Sequence, residues 1–350
     1  MIFKLCSCLF LFALLLPVSP APAGQANIFV YHHFGDDRYP STNISLDVFT
    51  AQLQLLKEKE HVVLPLEEVV RRIREDRELP ERCTVLTVDD AYVSFLTGAM
   101  PLLRRYGYPV TLFVSTGSVG SPGYLNWDQL RSLAREGVAM GNHTVSHPYL
   151  LNRKTKENDR EWRQRVRREI TEAQEKLERE LGEAPSFFAY PFGEYGPEVV
   201  EIVREFGFLG ALGQQSGVAY SGNDPSVFPR FPMGGPYATL EGFEQKAAMK
   251  ALPVQVISPT SPVVGEENPP TLEIRIEGGG IDLTRLRCFV QGQEEGEITP
   301  VPGDAGRFRV RAVSPLAGRR NKYTLTAPGR GTGQWYWFSQ LWVFTDRPDS

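Results

Sequence analysis

The 350-residue chain is 41% hydrophobic and 23% charged, ordinary proportions for a globular protein, and its length suggests more than one domain. A formal net charge of −4 gives it no general attraction to nucleic acid or to an anionic membrane surface. Bulk charge therefore excludes some partners without choosing a function, and local patterns have to decide.

The N-terminus carries Lys4, an uncharged apolar run over 9–16, and Ala21-Pro22-Ala23, small residues at the spacing a signal peptidase reads. This is the pattern of a secretory signal peptide over residues 1–23. The run is shorter than the roughly 20 apolar residues that cross a bilayer. Export to the periplasm or the extracellular space is expected, rather than an anchor. Cys6 and Cys8 precede the run, away from where a lipoprotein cysteine sits. Cleavage leaves Cys83 and Cys288, too few for a disulfide framework. They fall in different proposed domains and are expected to be unpaired. No other stretch has transmembrane character, so the mature chain is expected to be soluble, without stable membrane insertion.

From 27 to 250 short apolar runs alternate with helical patterns. The expected order is strand 28–31, helix 48–56 with Ser45 or Asp47 as N-cap, strand 62–64, helix 66–73 and strand 84–88. Helix 98–106, strand 110–114, helix 128–136 and strand 138–140 follow. Next comes a long helix over 159–181, with Val166, Ile170, Ala173, Leu177 and Leu181 on one stripe. Strand 187–190, helix 198–206 and strand 209–212 complete the series. Repeated strand-then-helix order implies a parallel α/β sheet with helices outside it, and about seven such units favour a barrel-like closure. A site is then expected at the C-terminal ends of the strands.

The composition changes near Leu252. Pro253, Pro259, Pro262, Pro269 and Pro270 mark a linker over 251–270. Strand patterns at 272–276, 307–310, 323–326 and 335–344, separated by turns such as Gly278-Gly279-Gly280 and Pro302-Gly303-Asp304, predict a small β-sandwich over 271–346.

Two motifs in the first region carry chemistry. Thr87-Val88-Asp89-Asp90 ends a strand with adjacent carboxylates, which strand alternation would turn to opposite sides. Such a pair can divide labour, one binding a metal and one handling protons, although Asp-Asp is also common in plain turns and at helix N-caps. His143-Thr144-Val145-Ser146-His147 holds two of the chain's five histidines. At a spacing of four they lie on one face of a helical turn and can both reach one metal. Two imidazoles plus one carboxylate, with positions open to water and substrate, make a hydrolytic metal site.

With these motifs in this order the chain resembles the polysaccharide deacetylases of carbohydrate esterase family four, the NodB-homology fold. The family's Thr-Phe-Asp-Asp is Thr-Val-Asp-Asp here, its His-Ser/Thr-x-x-His is residues 143–147, and Ala189-Tyr190-Pro191-Phe192-Gly193 stands where the family has Arg-x-Pro-Tyr/Phe. The resemblance covers residues 28–250. It implies a distorted (β/α) barrel of the polysaccharide deacetylase type, followed in this chain by the small all-β domain. It also implies that Asp90, His143 and His147 bind a divalent metal, that Asp89 is the general base, and that the Phe192 backbone N–H helps hold the oxyanion. Zn²⁺ suits nitrogen and oxygen ligands in an open tetrahedral site, with Co²⁺, Ni²⁺ and Mn²⁺ as other choices.

There are two departures from the family pattern. The family's third-motif Arg, which contacts the base, is Ala189 here. Arg230, within Phe228-Pro229-Arg230-Phe231-Pro232, is the candidate substitute, the plainer reading being a surface salt bridge. The family's catalytic-acid His near the domain's C-terminus is also missing, because no histidine follows His147. Val30-Tyr31-His32 resembles the family's Leu-x-His motif moved to the N-terminus, the permuted order of the exopolysaccharide N-deacetylases of biofilm systems. His32 is accordingly assigned as general acid, with Asp36 or Asp37 to orient its ring.

The implied reaction is metal-dependent hydrolysis of N-acetyl groups from an N-acetylglucosamine-containing polysaccharide, with acetate released. Two other readings compete: a same-fold hydrolase of an O-acetyl ester or a non-sugar amide, and a non-catalytic carbohydrate-binding protein. Retention of Asp89 beside a complete metal triad argues against the last. The arginines of the long helix (Arg160, Arg163, Arg165, Arg167, Arg168) read as a solvated face paired with Glu161, Glu169, Glu172 and Glu175. Trp127 suits a sugar cleft and Asp128 a helix cap. In the run Trp335-Tyr336-Trp337-Phe338, alternation sends the two tryptophans to one face and Tyr336 and Phe338 to the other. One face fills a sandwich core, and the other packs on the first domain or stacks on a glycan.

Overall fold

A computed structural model describes residues 24–348. The leader expected over 1–23 lies outside the described residues. Gln25–Tyr31, Cys83–Val88, Thr111–Val114 and Phe187–Ala189 are apolar runs without alternation, and almost every residue in them is buried. A strand covered on both faces has that character, and such strands pair in parallel with helices on the outside. The parallel order is Gln25–Tyr31, Cys83–Val88, Thr111–Val114, Ala139–Asn142, Phe187–Ala189 and Gly210–Leu212.

This sheet curls, and residues 228–232 span the remaining gap. Phe228 bridges Leu212 at one edge, and Phe231–Pro232 pairs in parallel with Phe29 and Val30 at the other. The distorted barrel is thus completed by an irregular segment rather than by a full strand.

The helices lie where apolar periodicity put them. Asp159–Leu181 buries Trp162, Val166, Ile170, Ala173 and Leu177, starts with a capping box between Asn158 and Glu161, and stops at Gly182 in the left-handed region (φ 85°). Leu46–Glu58 is capped by Ser45, whose hydroxyl accepts the Val48 N–H, so Asp47 is not the cap. Trp127–Arg135 is capped by Asn126, in a capping box with Gln129. Asp128 is therefore not a cap; it sits in the first turn and pairs with Arg131. The Trp127 ring packs against the core and beneath the Lys176 ammonium. Three of the long helix's arginines pair with carboxylates, though not with the glutamates expected: Arg163 with Asp159 and Glu201, Arg165 with Glu157 and Arg167 with Glu205.

The C-terminal region forms two four-stranded sheets around one apolar core that includes Leu272, Ile274, Val310, Tyr323, Leu325 and Trp342. Val254–Ser258, inside the stretch expected to be a linker, is a strand paired antiparallel with Leu272–Ile276. Flanking Pro253 and Pro259 hid it, because proline marks strand ends as readily as loops. Lys250–Ala251 pairs with Trp335–Val343, so the chain enters the second region through its own sheet. Tyr336 and Phe338 pack against the sandwich core. Trp337 turns the other way: its ring meets Phe231 edge-on at 5.6 Å and its indole N–H donates to the Ser216 carbonyl. It makes contact between the two regions. Cys83 and Cys288 are buried, unpaired, and in separate cores. Among the described residues no helix is long and apolar enough to cross a membrane.

Candidate active site

Every sequence-derived site residue follows the C-terminal end of a parallel strand or lies in the closing segment. Asp89 and Asp90 follow Cys83–Val88, His143 follows Ala139–Asn142, Phe192 follows Phe187–Ala189, and His32 follows Gln25–Tyr31. Alternation alone would have separated the two aspartates. Instead Asp90 (φ 73°) and Ala91 (φ 58°) turn left-handed, which swings Asp90 toward the histidines.

Asp90 Oδ1 lies 3.5 Å from Nε2 of His143 and 3.5 Å from Nε2 of His147. One ligand atom from each of the three residues falls within 4.8 Å of the others. His143 is fully buried, and its Nδ1 sits 2.8 Å from the Ala189 carbonyl oxygen. Only an N–H can face a carbonyl, so Nδ1 carries the proton and Nε2 presents a lone pair. That Nε2 is buried without a hydrogen-bond partner. Burial also pushes the imidazole down to about 3, which keeps it neutral, and lowers His147 in the same way. Burial pushes the Asp90 carboxyl up to about 6, and neighbouring Asp89 adds to the rise. A cation between the three ligand atoms offsets that cost, so the donor set fits a divalent metal.

The two histidines do not share a helical turn. Thr144 (φ 68°) and His147 (φ 52°) are left-handed, and the stretch is a loop after the strand end. Side chains hold it in place. Asn142 Oδ1 accepts the Thr144 N–H at 2.9 Å, and the Thr144 hydroxyl accepts the His147 N–H at 3.1 Å. Glu169 of the long helix accepts the N–H groups of Val145 (3.1 Å) and Ser146 (2.9 Å) and the Ser146 hydroxyl (2.8 Å). The sequence reading treated Glu169 as a surface partner for arginine. Its place beside Ile170 on the buried stripe was the available signal.

Asp89 and Arg230 are both fully buried. The guanidinium donates Nη1 to Oδ1 and Nη2 to Oδ2, each at 2.8 Å. Arg230 also donates to the Gly213 carbonyl (2.8 Å) and the Thr87 hydroxyl (3.2 Å). Arg230 is therefore no surface salt bridge. Burial alone would raise the Asp89 carboxyl, but Arg230 and His143 outweigh it and hold the group well below the usual carboxylate range. His32 Nε2 lies 4.0 Å from Asp89 Oδ2, on the exposed side of the pair.

Neither Asp36 nor Asp37 orients His32. Asp36 forms a two-pronged pair with Arg38, and Asp37 accepts from Asn43. The adjacent His33 is buried, stacked between Tyr39 and Tyr92 at 4.1 and 3.7 Å. Tyr92, which the sequence did not single out, acts on the Asp90 carboxyl and holds it lower than burial alone would. Phe192 adopts φ 58°, and its ring meets His147 edge-on at 4.4 Å and stacks on Tyr149 at 4.0 Å.

Comparison with known proteins finds similarity to polysaccharide deacetylases. The family model described as polysaccharide deacetylase matches residues 76–211, which include Asp89, Asp90, His143, His147 and Phe192 but neither His32 nor Arg230. A putative polysaccharide deacetylase, YxkH, of Bacillus subtilis (strain 168) is 23% identical over 192 residues, covering 55% of this chain and 65% of that protein. The poly-beta-1,6-N-acetyl-D-glucosamine N-deacetylase of Escherichia coli (strain K12) is 24% identical over 228 residues, covering 55% of this chain and 34% of that protein. The chain thus spans less than two thirds of the length of these two curated relatives. Among solved structures, the Streptococcus pyogenes deacetylase PplD in complex with acetate superposes with a TM-score of 0.58 at 23% identity, covering 64% of this chain and 98% of that one. IcaB from Ammonifex degensii gives 0.55 at 24% identity, covering 64% and 96%. These likenesses share the curled barrel.

Proposed function

We propose, from the premise that the chain carries a polysaccharide deacetylase domain, that it hydrolyses N-acetyl groups from an N-acetylglucosamine-containing polysaccharide in a metal-dependent reaction that releases acetate. One observation carries the reading. Three ligand atoms converge within 4.8 Å, while the neighbouring carboxylate, Asp89, is kept ionised by a buried arginine. A metal site alone needs no such second carboxylate.

The roles follow from the geometry. Asp90, His143 and His147 would hold the cation. Once bound, it supplies Lewis-acid polarisation of the amide carbonyl and acidifies the attacking water. Asp89 accepts a proton from that water. Arg230 keeps Asp89 in its base form at the expense of basicity, which is why acidified water suits this base. The Phe192 backbone N–H donates to the oxyanion as the carbonyl carbon becomes tetrahedral. Protonated His32 gives its proton to the leaving nitrogen, which is a very poor leaving group without it. Zn²⁺ suits the ligands, and Co²⁺, Ni²⁺ or Mn²⁺ are workable substitutes. The leader pattern of residues 1–23 supports a site of action outside the cytoplasm.

The test is acetate release from β-1,6-linked N-acetylglucosamine oligomers and from chitooligosaccharides. Release is expected from at least one of them, with loss on chelation and recovery on adding Zn²⁺ or Co²⁺. A metal-loaded protein that releases no acetate from either sinks the reading. A second expectation concerns His32→Ala. Turnover should fall by about 10²-fold or more with bound metal unchanged, by elemental analysis. Loss of metal in that variant would make His32 a ligand instead of an acid.

A further inference from the structure

We propose that Arg319, in the C-terminal sandwich region, is a positioning residue for the deacetylase site, ordering the Phe192 turn through Glu194 and Tyr149. What that turn does chemically rests on the deacetylase reading above; the physical coupling does not.

Glu194 lies two residues beyond Phe192 and is fully buried. Its carboxylate accepts from Arg319 twice, Nε to Oε1 at 2.6 Å and Nη2 to Oε2 at 2.7 Å, and from Arg320 Nη1 at 3.1 Å. Arg319 is 2% exposed and also donates to Asn152 Oδ1 (2.8 Å) and to the Thr345 and Arg347 carbonyls (3.2 Å each). The same guanidinium lies 4.1 Å over the Tyr149 ring. Tyr149 stacks on Phe192 at 4.0 Å with the planes 10° apart, and Phe192 meets His147 at 4.4 Å. An unbroken series of contacts therefore runs from a sandwich arginine to a proposed metal ligand. Arg320 adds a second guanidinium, 5.4 Å over Phe192 itself.

The turn needs such support. Phe192 and Gly193 are left-handed in succession (φ 58° and 71°). A residue with a Cβ keeps that conformation only where its surroundings impose it. The short turn has few bonds of its own, from the Gly193 N–H to the Tyr190 carbonyl and from the Glu194 N–H to the Pro191 carbonyl. Adhesion between the two regions does not explain the ion pair, because a buried charge pair holds surfaces together no better than apolar contact, and Trp337 on Phe231 already supplies such contact. A planar two-pronged pair instead fixes orientation. The strand that follows Arg319, Arg320–Pro328, also reaches the surroundings of Asp89. Lys322 donates to the Gln214 carbonyl at 3.1 Å, and the Gln214 amide is 3.5 Å from Asp89 Oδ2.

The test uses the full chain with Arg319→Gln, Arg319→Lys and Tyr149→Leu. Tyr149→Leu breaks the stack without stranding a buried charge, so it serves if Arg319→Gln fails to fold. Hydrogen exchange of peptides spanning 190–196 is read together with bound metal, kcat and KM. Arg319→Gln is expected to speed exchange at 190–196 about tenfold while strands Gln25–Tyr31 and Cys83–Val88 stay protected. Turnover should drop about tenfold or more, with KM within about twofold and metal retained. Arg319→Lys should recover part of the loss, and Tyr149→Leu should show the same pattern more weakly. Unchanged exchange at 190–196 in the Gln and Leu variants overturns the proposal, as does a turnover loss that comes only with general exposure or metal loss. If the wild type releases no acetate, the deacetylase reading falls and exchange alone decides the coupling. If the wild type is active and both variants match it, only the positioning role falls.

Discussion

Asp89→Asn is expected to lower turnover by roughly 10²- to 10⁴-fold while bound metal stays at the wild-type level. Asparagine keeps the shape of the side chain and removes its capacity to take a proton. The proposed ligand set is Asp90, His143 and His147, so the cation loses none of its ligands. The buried Arg230 also keeps bonds to the Gly213 carbonyl and the Thr87 hydroxyl, which limits the damage to folding. Acetate release and elemental analysis on one preparation provide the check. Turnover near the wild-type value removes Asp89 from the role of base. Loss of metal together with turnover shows that the carboxylate helps hold the cation.

Arg230→Met should cost more in stability and change the pH profile in a defined direction. The substitution leaves the Asp89 carboxylate buried without its partner, a change that typically costs about 3–5 kcal/mol. In a chain of this size that corresponds to a fall in Tm of roughly 10 °C. The sign of the pH effect follows from the two opposing causes at Asp89. Burial raises the carboxyl, and Arg230 is the largest influence lowering it. Once Arg230 is removed, burial dominates and the carboxyl takes up its proton at higher pH. The acidic limb of the kcat/KM profile should therefore move to higher pH. In the wild type the depressed carboxyl contributes stability in full above its ordinary value of 3.8, and loses it as pH falls toward the native value. That acid-side loss should be weaker in Arg230→Met. Calorimetry across pH together with the rate profile checks both. An unshifted acidic limb in a folded, metal-loaded variant separates Arg230 from the base.

How much of this molecule was legible in its sequence depends on the range of the physics involved. Strand and helix order between residues 27 and 250 could be read because burial on one stripe or on both faces writes a local period into consecutive residues. The long helix was placed near 159–181 from its apolar stripe, and the structure ends it at Asn158 and Gly182, caps the stripe alone did not identify. The Asp-Asp and His-x-x-x-His motifs were recognisable because each places its chemistry within a few residues.

Local spacing nevertheless misjudged how those groups are presented. The histidines share a loop with two left-handed residues rather than a helical turn, and a left-handed turn brings Asp90 round to meet them. Backbone reversals of this kind are imposed by contacts such as Glu169 on the Val145 and Ser146 N–H groups, more than twenty residues away. Asp36 and Asp37 show the converse: nearness in sequence to His32 proved no guide to contact.

By itself the sequence determined the class of chemistry, a carboxylate pair and two imidazoles set at the ends of parallel strands, and the change from alternating α/β to all-β near Leu252. The tertiary structure alone decided which distant group each of these meets. Arg230 lies 141 residues from Asp89 and Arg319 lies 125 from Glu194, yet each forms a buried two-pronged pair with its partner. The physical reason is that a desolvated charge must find a partner somewhere in the fold. No periodicity or short motif encodes where that partner will be.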